Sequence, residues 1–159
     1  MRDFKRNKVL LLLALIFIIL GFGKTSLATD IILNDLSGQS VRISSYKGKP
    51  VILFFWTTWC PYCRDELRKL NQLYSQIHKE GIVVFGVDVR ESKSKVERAL
   101  KGYALNFAML LDEGGSLVYE YGLRGVPTYV FLDKAGQVVS QTQSLPENYK
   151  NLLSGYKHE

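Results

Sequence analysis

What most restricts the fold is a change of period between residues 51 and 63. Val51-Ile52-Leu53-Phe54-Phe55-Trp56 is apolar throughout with no alternation, a pattern suited to a strand covered on both faces in the middle of a sheet with helices on each side. From Pro61 onward, Cys63, Leu67, Leu70, Tyr74 and Ile77 recur every three or four residues until Gly81. That spacing predicts an amphipathic helix opened by proline and stopped by glycine.

The same reading carries along the rest of the chain. Ile31 to Leu33 and Val41 to Ile43 flank the turn-rich Asn34-Asp35-Leu36-Ser37-Gly38-Gln39 and predict a short hairpin. Ile82 to Val87, Phe107 to Leu111, Thr128 to Leu132 and Gln137 to Gln143 are further strands. Helices are expected over Ser94 to Tyr103, from the turn Asp112-Glu113-Gly114-Gly115 to Tyr121, and from Pro146 to near Leu153. Alternating strands and helices imply an α/β domain with a parallel core, and the C-terminal hairpin, turning at Asp133-Lys134-Ala135-Gly136 into Gln137 to Gln143, adds an antiparallel strand at one side. The expected fold is a mixed central sheet flanked by helices, with an N-terminal β-hairpin extension. Neither an internal repeat nor a second domain is visible.

The N-terminus reads differently from the rest. Arg2, Lys5, Arg6 and Lys8 precede the apolar run Val9 to Phe22. Fourteen residues at helical rise cover about 21 Å against a hydrocarbon core of roughly 30 Å, so a signal peptide over residues 1–28 fits better than a full span. Ser26-Leu27-Ala28 offers small residues for cleavage after Ala28, and retention as an N-terminal membrane anchor is the alternative. The junction has no cysteine to carry a lipid. Residues 29–159 then form one globular domain in a periplasmic or other extracytoplasmic compartment, touching a membrane only through the N-terminal segment if that segment stays uncleaved.

Charge supports this division. Of 21 basic and 15 acidic residues, five and one fall in the first 28, so the remainder carries 16 against 14 and the net charge drops from +6 to +2. With no basic stripe there, nucleic-acid binding has no electrostatic basis.

The only two cysteines, Cys60 and Cys63, sit where the buried strand gives way to the helix. The first turn of a helix has unpaired N–H groups and a partial positive charge, and both favour a thiolate. Helix N-termini and Cys-X-X-Cys motifs lower a thiol from about 8.5 to about 3.5–7.5, so Cys60 is the expected nucleophile and Cys63, one turn further in, the buried partner. Cys60 could attack a disulfide and be released from the mixed disulfide by Cys63. A structural disulfide is a competing reading, although its loop is too short to constrain much chain. A metal site would need ligands beyond this pair, with only His78 and His158 to add. Covalent haem attachment needs histidine after the second cysteine, where Arg64 stands. No metal or other cofactor is expected.

Phe55-Trp56-Thr57-Thr58-Trp59-Cys60-Pro61-Tyr62-Cys63-Arg64 resembles the thioredoxin superfamily, specifically its exported TlpA/ResA-like branch of disulfide reductases. Gly48-Lys49-Pro50, residues 81–87, Leu110-Leu111-Asp112 and Gly125-Val126-Pro127-Thr128 extend the resemblance from about Asn34 to Val139. It implies a thioredoxin-like fold, a cis Pro127 beside the cysteines, and a Val126 backbone that hydrogen-bonds a bound peptide. It also implies that Glu66 lies near the active site and tunes the thiols. Helical spacing independently puts positions 63 and 66 on one face, so that the carboxylate could exchange a proton with Cys63; the alternative is an ordinary first-turn acid favoured by the helix dipole. Thioredoxin has a buried aspartate six residues before its first cysteine, where this chain has Phe54, so a relay is expected to run through Glu66. Trp59, Pro61 and Tyr62 would border Cys60 as an apolar rim for a partner, with Trp56 in the core. His78 and the charged stretch Arg90-Glu91-Ser92-Lys93 read as a helix-end cation and a solvated loop.

The leading expectation is a reductase outside the cytoplasm, passing electrons from a membrane-embedded donor to disulfide-containing proteins, as in cytochrome c maturation. An oxidase or isomerase of exported proteins, and a non-catalytic thiol metallochaperone, are the alternatives.

Overall fold

A computed structural model describes residues 31–154; the leader over residues 1–28 lies outside them. Seven strands run in the order β2-β1-β5-β4-β3-β6-β7. They are β1 (Ile32–Asp35), β2 (Ser40–Arg42), β3 (Val51–Trp56), β4 (Val83–Val89), β5 (Ala108–Asp112), β6 (Thr128–Leu132) and β7 (Val138–Thr142). Between and after them lie α1 (Pro61–Lys79), α2 (Lys93–Ala99), α3 (Ser116–Glu120) and α4 (Tyr149–Leu153). No helix among the described residues is long and apolar enough to cross a membrane.

β3 is central, and all six of its residues are buried. Its side chains alternate between two cores. Ile52, Phe54 and Trp56 pack with Leu67 and Leu70 of α1 and Val96 of α2, while Val51, Leu53 and Phe55 pack with Leu117 of α3 and Leu33 of the hairpin. The absence of polar alternation thus reflects helices on both faces. The N-terminal hairpin forms as expected and joins the sheet by pairing β1 antiparallel to β5.

The parallel core is smaller than expected. β3, β4 and β5 are parallel, but β6 pairs antiparallel to β3, with Thr128 opposite Phe55 and Leu132 opposite Val51. The reason lies in the preceding connection. It leaves β5 and enters β6 at the same end of the sheet, and the five-residue α3 does not carry the chain back along the strands. Residues 125–127 are thereby set at the end of β3 that leads to the cysteines. Two helices are also shorter than expected. α2 stops at Ala99 as the chain turns through Leu100 and the left-handed Gly102, and α4 starts at Tyr149 after a turn from Pro146.

Local chemistry fixes the elements that frame the site. α1 ends with Gly81 in the left-handed region (φ 76°). The Gly81 N–H donates to the His78 carbonyl at 2.9 Å, and that of Ile82 to the Ile77 carbonyl at 3.4 Å, closing a Schellman motif. Asp112, buried at the end of β5, caps α3 by accepting from the Ser116 N–H at 2.7 Å, the Leu117 N–H at 3.0 Å and the Val118 N–H at 3.4 Å. Asp112→Ala leaves these donors without an acceptor, and the expected loss of stability is about 2–3 kcal/mol, measured as a lower urea midpoint at unchanged slope.

Candidate active site

Cys60 is the N-cap of α1, in extended conformation (φ −84°, ψ 113°), and Pro61 occupies the first turn. Pro61 is suited there because it has no N–H to leave unpaired. The Cys63 N–H donates to Cys60 Sγ at 3.2 Å, and the Cys60 N–H to the Thr57 carbonyl at 3.3 Å. The two cysteines form a disulfide, with their Cα atoms 5.2 Å apart. Cys60 is 4% exposed and Cys63 fully buried, so any approach is through Cys60.

Around this sulfur the aromatic residues divide as their positions suggested. Trp59 is 67% and Tyr62 75% exposed, whereas Trp56 is buried with its indole N–H donating to Met109 Sδ at 2.9 Å. Gly86 makes that contact possible, since a Cβ there would lie 2.7 Å from the Met109 sulfur. Just before β6, the Val126–Pro127 bond is cis, and the Val126 carbonyl oxygen lies 3.9 Å from Cys60 Sγ. Trp59, Glu91, Lys95, Val118, Leu123 and Val126 border a cleft of about 470 Å³ beside the pair. A larger cleft, about 610 Å³, lies at the opposite end of the sheet against Pro50, Glu80 and Asp133, with no cysteine in its wall.

Glu66, on the first turns of α1, is half-buried and already engaged. Its Oε2 accepts from the Tyr129 hydroxyl at 3.0 Å and from the Leu145 N–H at 3.0 Å. It therefore ties the cysteine-bearing helix to β6 and to the segment leading into α4. Tyr129 lies in the same core cluster as Cys63, and burial, followed by the Glu66 charge, raises its hydroxyl far above the usual tyrosine range.

Two carboxyl groups that the sequence reading passed over lie beside the cysteine loop. Asp88 on β4 is fully buried, level with Trp56 of β3 and Leu111 of β5. Glu91, read from sequence as part of a solvated loop, is also buried; it accepts from both the N–H and the hydroxyl of Thr58 and pairs with Lys95. Burial opposes its charge, but Lys95 and Thr58 outweigh burial and hold the Glu91 carboxyl below its ordinary value. Among the described residues, Asp88 has no donor to balance it. Burial, and then the facing Glu91, push it up to about 8, with Lys95 acting in the other direction. The available signal was one acid within the otherwise apolar strand Val83-Val84-Phe85-Gly86-Val87-Asp88-Val89.

Residues 25–141 match the AhpC/TSA family model. The chain belongs to the AhpC/TSA family. It is 33% identical over 129 residues to the thiol-disulfide oxidoreductase ResA of Bacillus thuringiensis subsp. konkukian, covering 81% of this chain and 73% of that one. Among solved structures, the pneumococcal exposed lipoprotein thioredoxin Etrx1 from Streptococcus pneumoniae superposes with a TM-score of 0.69 at 30% identity, over 79% of this chain and 96% of the other. A thiol:disulfide interchange protein DsbE from Chlorobium tepidum gives a TM-score of 0.69 at 28% identity, over 79% and 89%. This AhpC/TSA protein is thus a thiol-disulfide oxidoreductase of the ResA/DsbE type with a thioredoxin-like fold.

The geometry allows the following order of exchange. When the pair is reduced, the Cys63 N–H and the start of α1 stabilise negative charge on Cys60 Sγ. Attack on a partner disulfide forms a Cys60–partner bond and releases one partner thiolate, which takes up a proton. Cys63, having lost its own proton, then attacks Cys60 Sγ, restores the observed disulfide and frees the second partner thiolate. Two electrons pass to the partner, and the reverse order oxidises it. No group of three or more His, Cys, Asp or Glu side chains placed to hold a metal occurs among the described residues.

Two stability measurements check these networks. Glu66→Leu strands the Tyr129 hydroxyl and the Leu145 N–H, with an expected cost of about 2–4 kcal/mol, whereas Tyr129→Phe removes only one donor and costs about 1 kcal/mol. Urea titration of both variants tests the ranking. The Asp88 carboxyl rises from an ordinary 3.8 to about 8 in the folded protein, so between these values the fold retains a proton that the unfolded chain has released. Its contribution is therefore intact below about 4, falls as pH climbs through this window, and levels off above about 8. Urea midpoints measured from pH 5 to pH 9, roughly spanning that window, should show Asp88→Asn gaining on the unsubstituted protein as pH rises.

Proposed function

We propose that this protein is a reductase of protein disulfides outside the cytoplasm, drawing electrons from a membrane-embedded donor and serving an assembly process such as cytochrome c maturation. The observation that carries this reading is a disulfide whose outer sulfur, on Cys60, keeps 4% exposure while Cys63 has none, beside a cleft of about 470 Å³. Cys60 faces the Val126 carbonyl 3.9 Å away, and exposed Trp59 and Tyr62 stand on either side of it in sequence. An extended partner segment could hydrogen-bond the Val126 backbone while its own cysteine meets Cys60, with Trp59, Pro61, Tyr62 and Pro127 offering apolar contact. The likeness to ResA and to an exposed lipoprotein thioredoxin supports an extracytoplasmic place. So does the basic and apolar leader at residues 2–22.

Glu66 joins this reading as a group that tunes the thiols through Tyr129 and the buried end of α1, rather than as a free shuttle. Metal transfer by the thiol pair, the non-catalytic alternative, gains no third ligand from the neighbouring described residues.

The deciding experiment is capture. Cys63→Ser in the full chain removes the resolving sulfur, so covalent partners should accumulate on Cys60, while Cys60→Ser captures none. Partners that are client disulfides together with a membrane protein would support the reading, and an absence of disulfide-linked partners would defeat it. A Cys60/Cys63 potential well below about −200 mV is expected for a reductant, and one well above it would reverse the proposed direction.

A further inference from the structure

Asp88 and Glu91 are two buried acids on the loop side of β4, and the exchange steps use neither. Their carboxyl groups face each other, and neither Asp88 oxygen has a donor among the described residues. Two carboxylates are both acceptors, so the contact is a hydrogen bond only when one of them carries a proton. Glu91 is already committed, since it accepts from the Thr58 N–H and hydroxyl and from Lys95. The proton therefore belongs on Asp88. The adjacent Thr57 links this contact to the pair, since its carbonyl accepts from the Cys60 N–H at 3.3 Å.

We propose that Asp88 is a positioning residue for the exchange reaction: as a neutral acid it donates to Glu91, and Glu91 so held anchors the Thr57–Thr58 turn that seats Cys60 at the start of α1. It follows that the thiol site is coupled to pH through a group that never touches the partner. The charges facing Asp88 settle the direction. Glu91 follows on the same segment, Lys95 comes from α2, and Glu113 from the turn after β5. Its sheet neighbours, Trp56 and Leu111, are neutral. α1 covers this face with Leu67, Leu70 and Cys63, the last of which titrates when reduced. Loss of the proton sets a second buried negative charge against Glu91, with Glu113 adding to it and only Lys95 opposing. Glu91 is then repelled from its place beneath Thr58, and the turn carrying Cys60 loses its anchor. Asparagine at 88 would reproduce the neutral acid, because its amide donates to Glu91 and cannot ionise.

This inference rests on thiol exchange at Cys60 and not on its direction. The test follows the alkylation rate of Cys60 by iodoacetamide against pH in the reduced full chain, unsubstituted and with Asp88→Asn. The unsubstituted protein should show the thiol ionisation plus a second transition at higher pH, with a severalfold loss of rate relative to a single-ionisation curve. Asp88→Asn should keep only the thiol ionisation. The carboxyl-carbon NMR titration of Asp88 in the unsubstituted protein, which needs no variant to fold, should give a midpoint far above that of an exposed aspartate. Identical pH profiles for the two proteins, or an Asp88 midpoint in the ordinary range, would overturn the proposal while leaving the exchange chemistry intact. A Cys60 unreactive at every pH in both proteins would remove the exchange chemistry and this inference with it.

Discussion

A strand buried on both faces can present chemistry only at its ends, and the architecture follows from that constraint on β3. Val51 to Trp56 offers no exposed side chain, so the polypeptide must change character immediately after it. It does so within four residues, passing through Thr57, Thr58 and Trp59 to a cysteine that caps a 19-residue helix. The helix is held down by Leu67, Leu70 and Ile77 and by the Glu66 carboxylate. Its first turn therefore cannot drift from the strand end, and the sulfur on it has a fixed electrostatic setting. Thiol chemistry here is less a property of two cysteines than of the junction they occupy.

The other half of the site depends on strand direction. Were β6 parallel to β3, residues 125–127 would enter at the far end of the sheet. Antiparallel pairing, with Thr128 opposite Phe55, brings the Val126 carbonyl to Cys60 instead. The short α3, held by a single aspartate at the end of β5, is what makes that return unnecessary.

Much of this was legible in the sequence because its signals are periodic. The unbroken run at residues 51–56, the three-and-four spacing after Pro61 and the glycine at 81 each have one dominant physical reading, and each element formed where expected. The cysteine pair was legible for the same reason, since its meaning comes from the junction. The direction of β6 was not, because orientation depends on how a connection travels, and a short helix with a long loop leaves both orientations open to pattern. Glu91 was missed because charge in a loop ordinarily signals solvent, and nothing local shows that Thr58, 33 residues away in sequence, will enclose it. Asp88 was passed over although an ionisable group amid six strand neighbours without charge is a signal in its own right. Glu66 was singled out for its place on the helix, but its ties to Tyr129 and Leu145 are tertiary and have no local mark.

Cys60 and Val126 meet across 66 positions of chain. During synthesis the sulfurs therefore leave the ribosome well before the carbonyl they come to face, and a polypeptide halted after β5 holds a dithiol without that wall of its cleft. The site is thus a late acquisition of the growing chain, completed only when β6 pairs with β3 in the middle of the sheet.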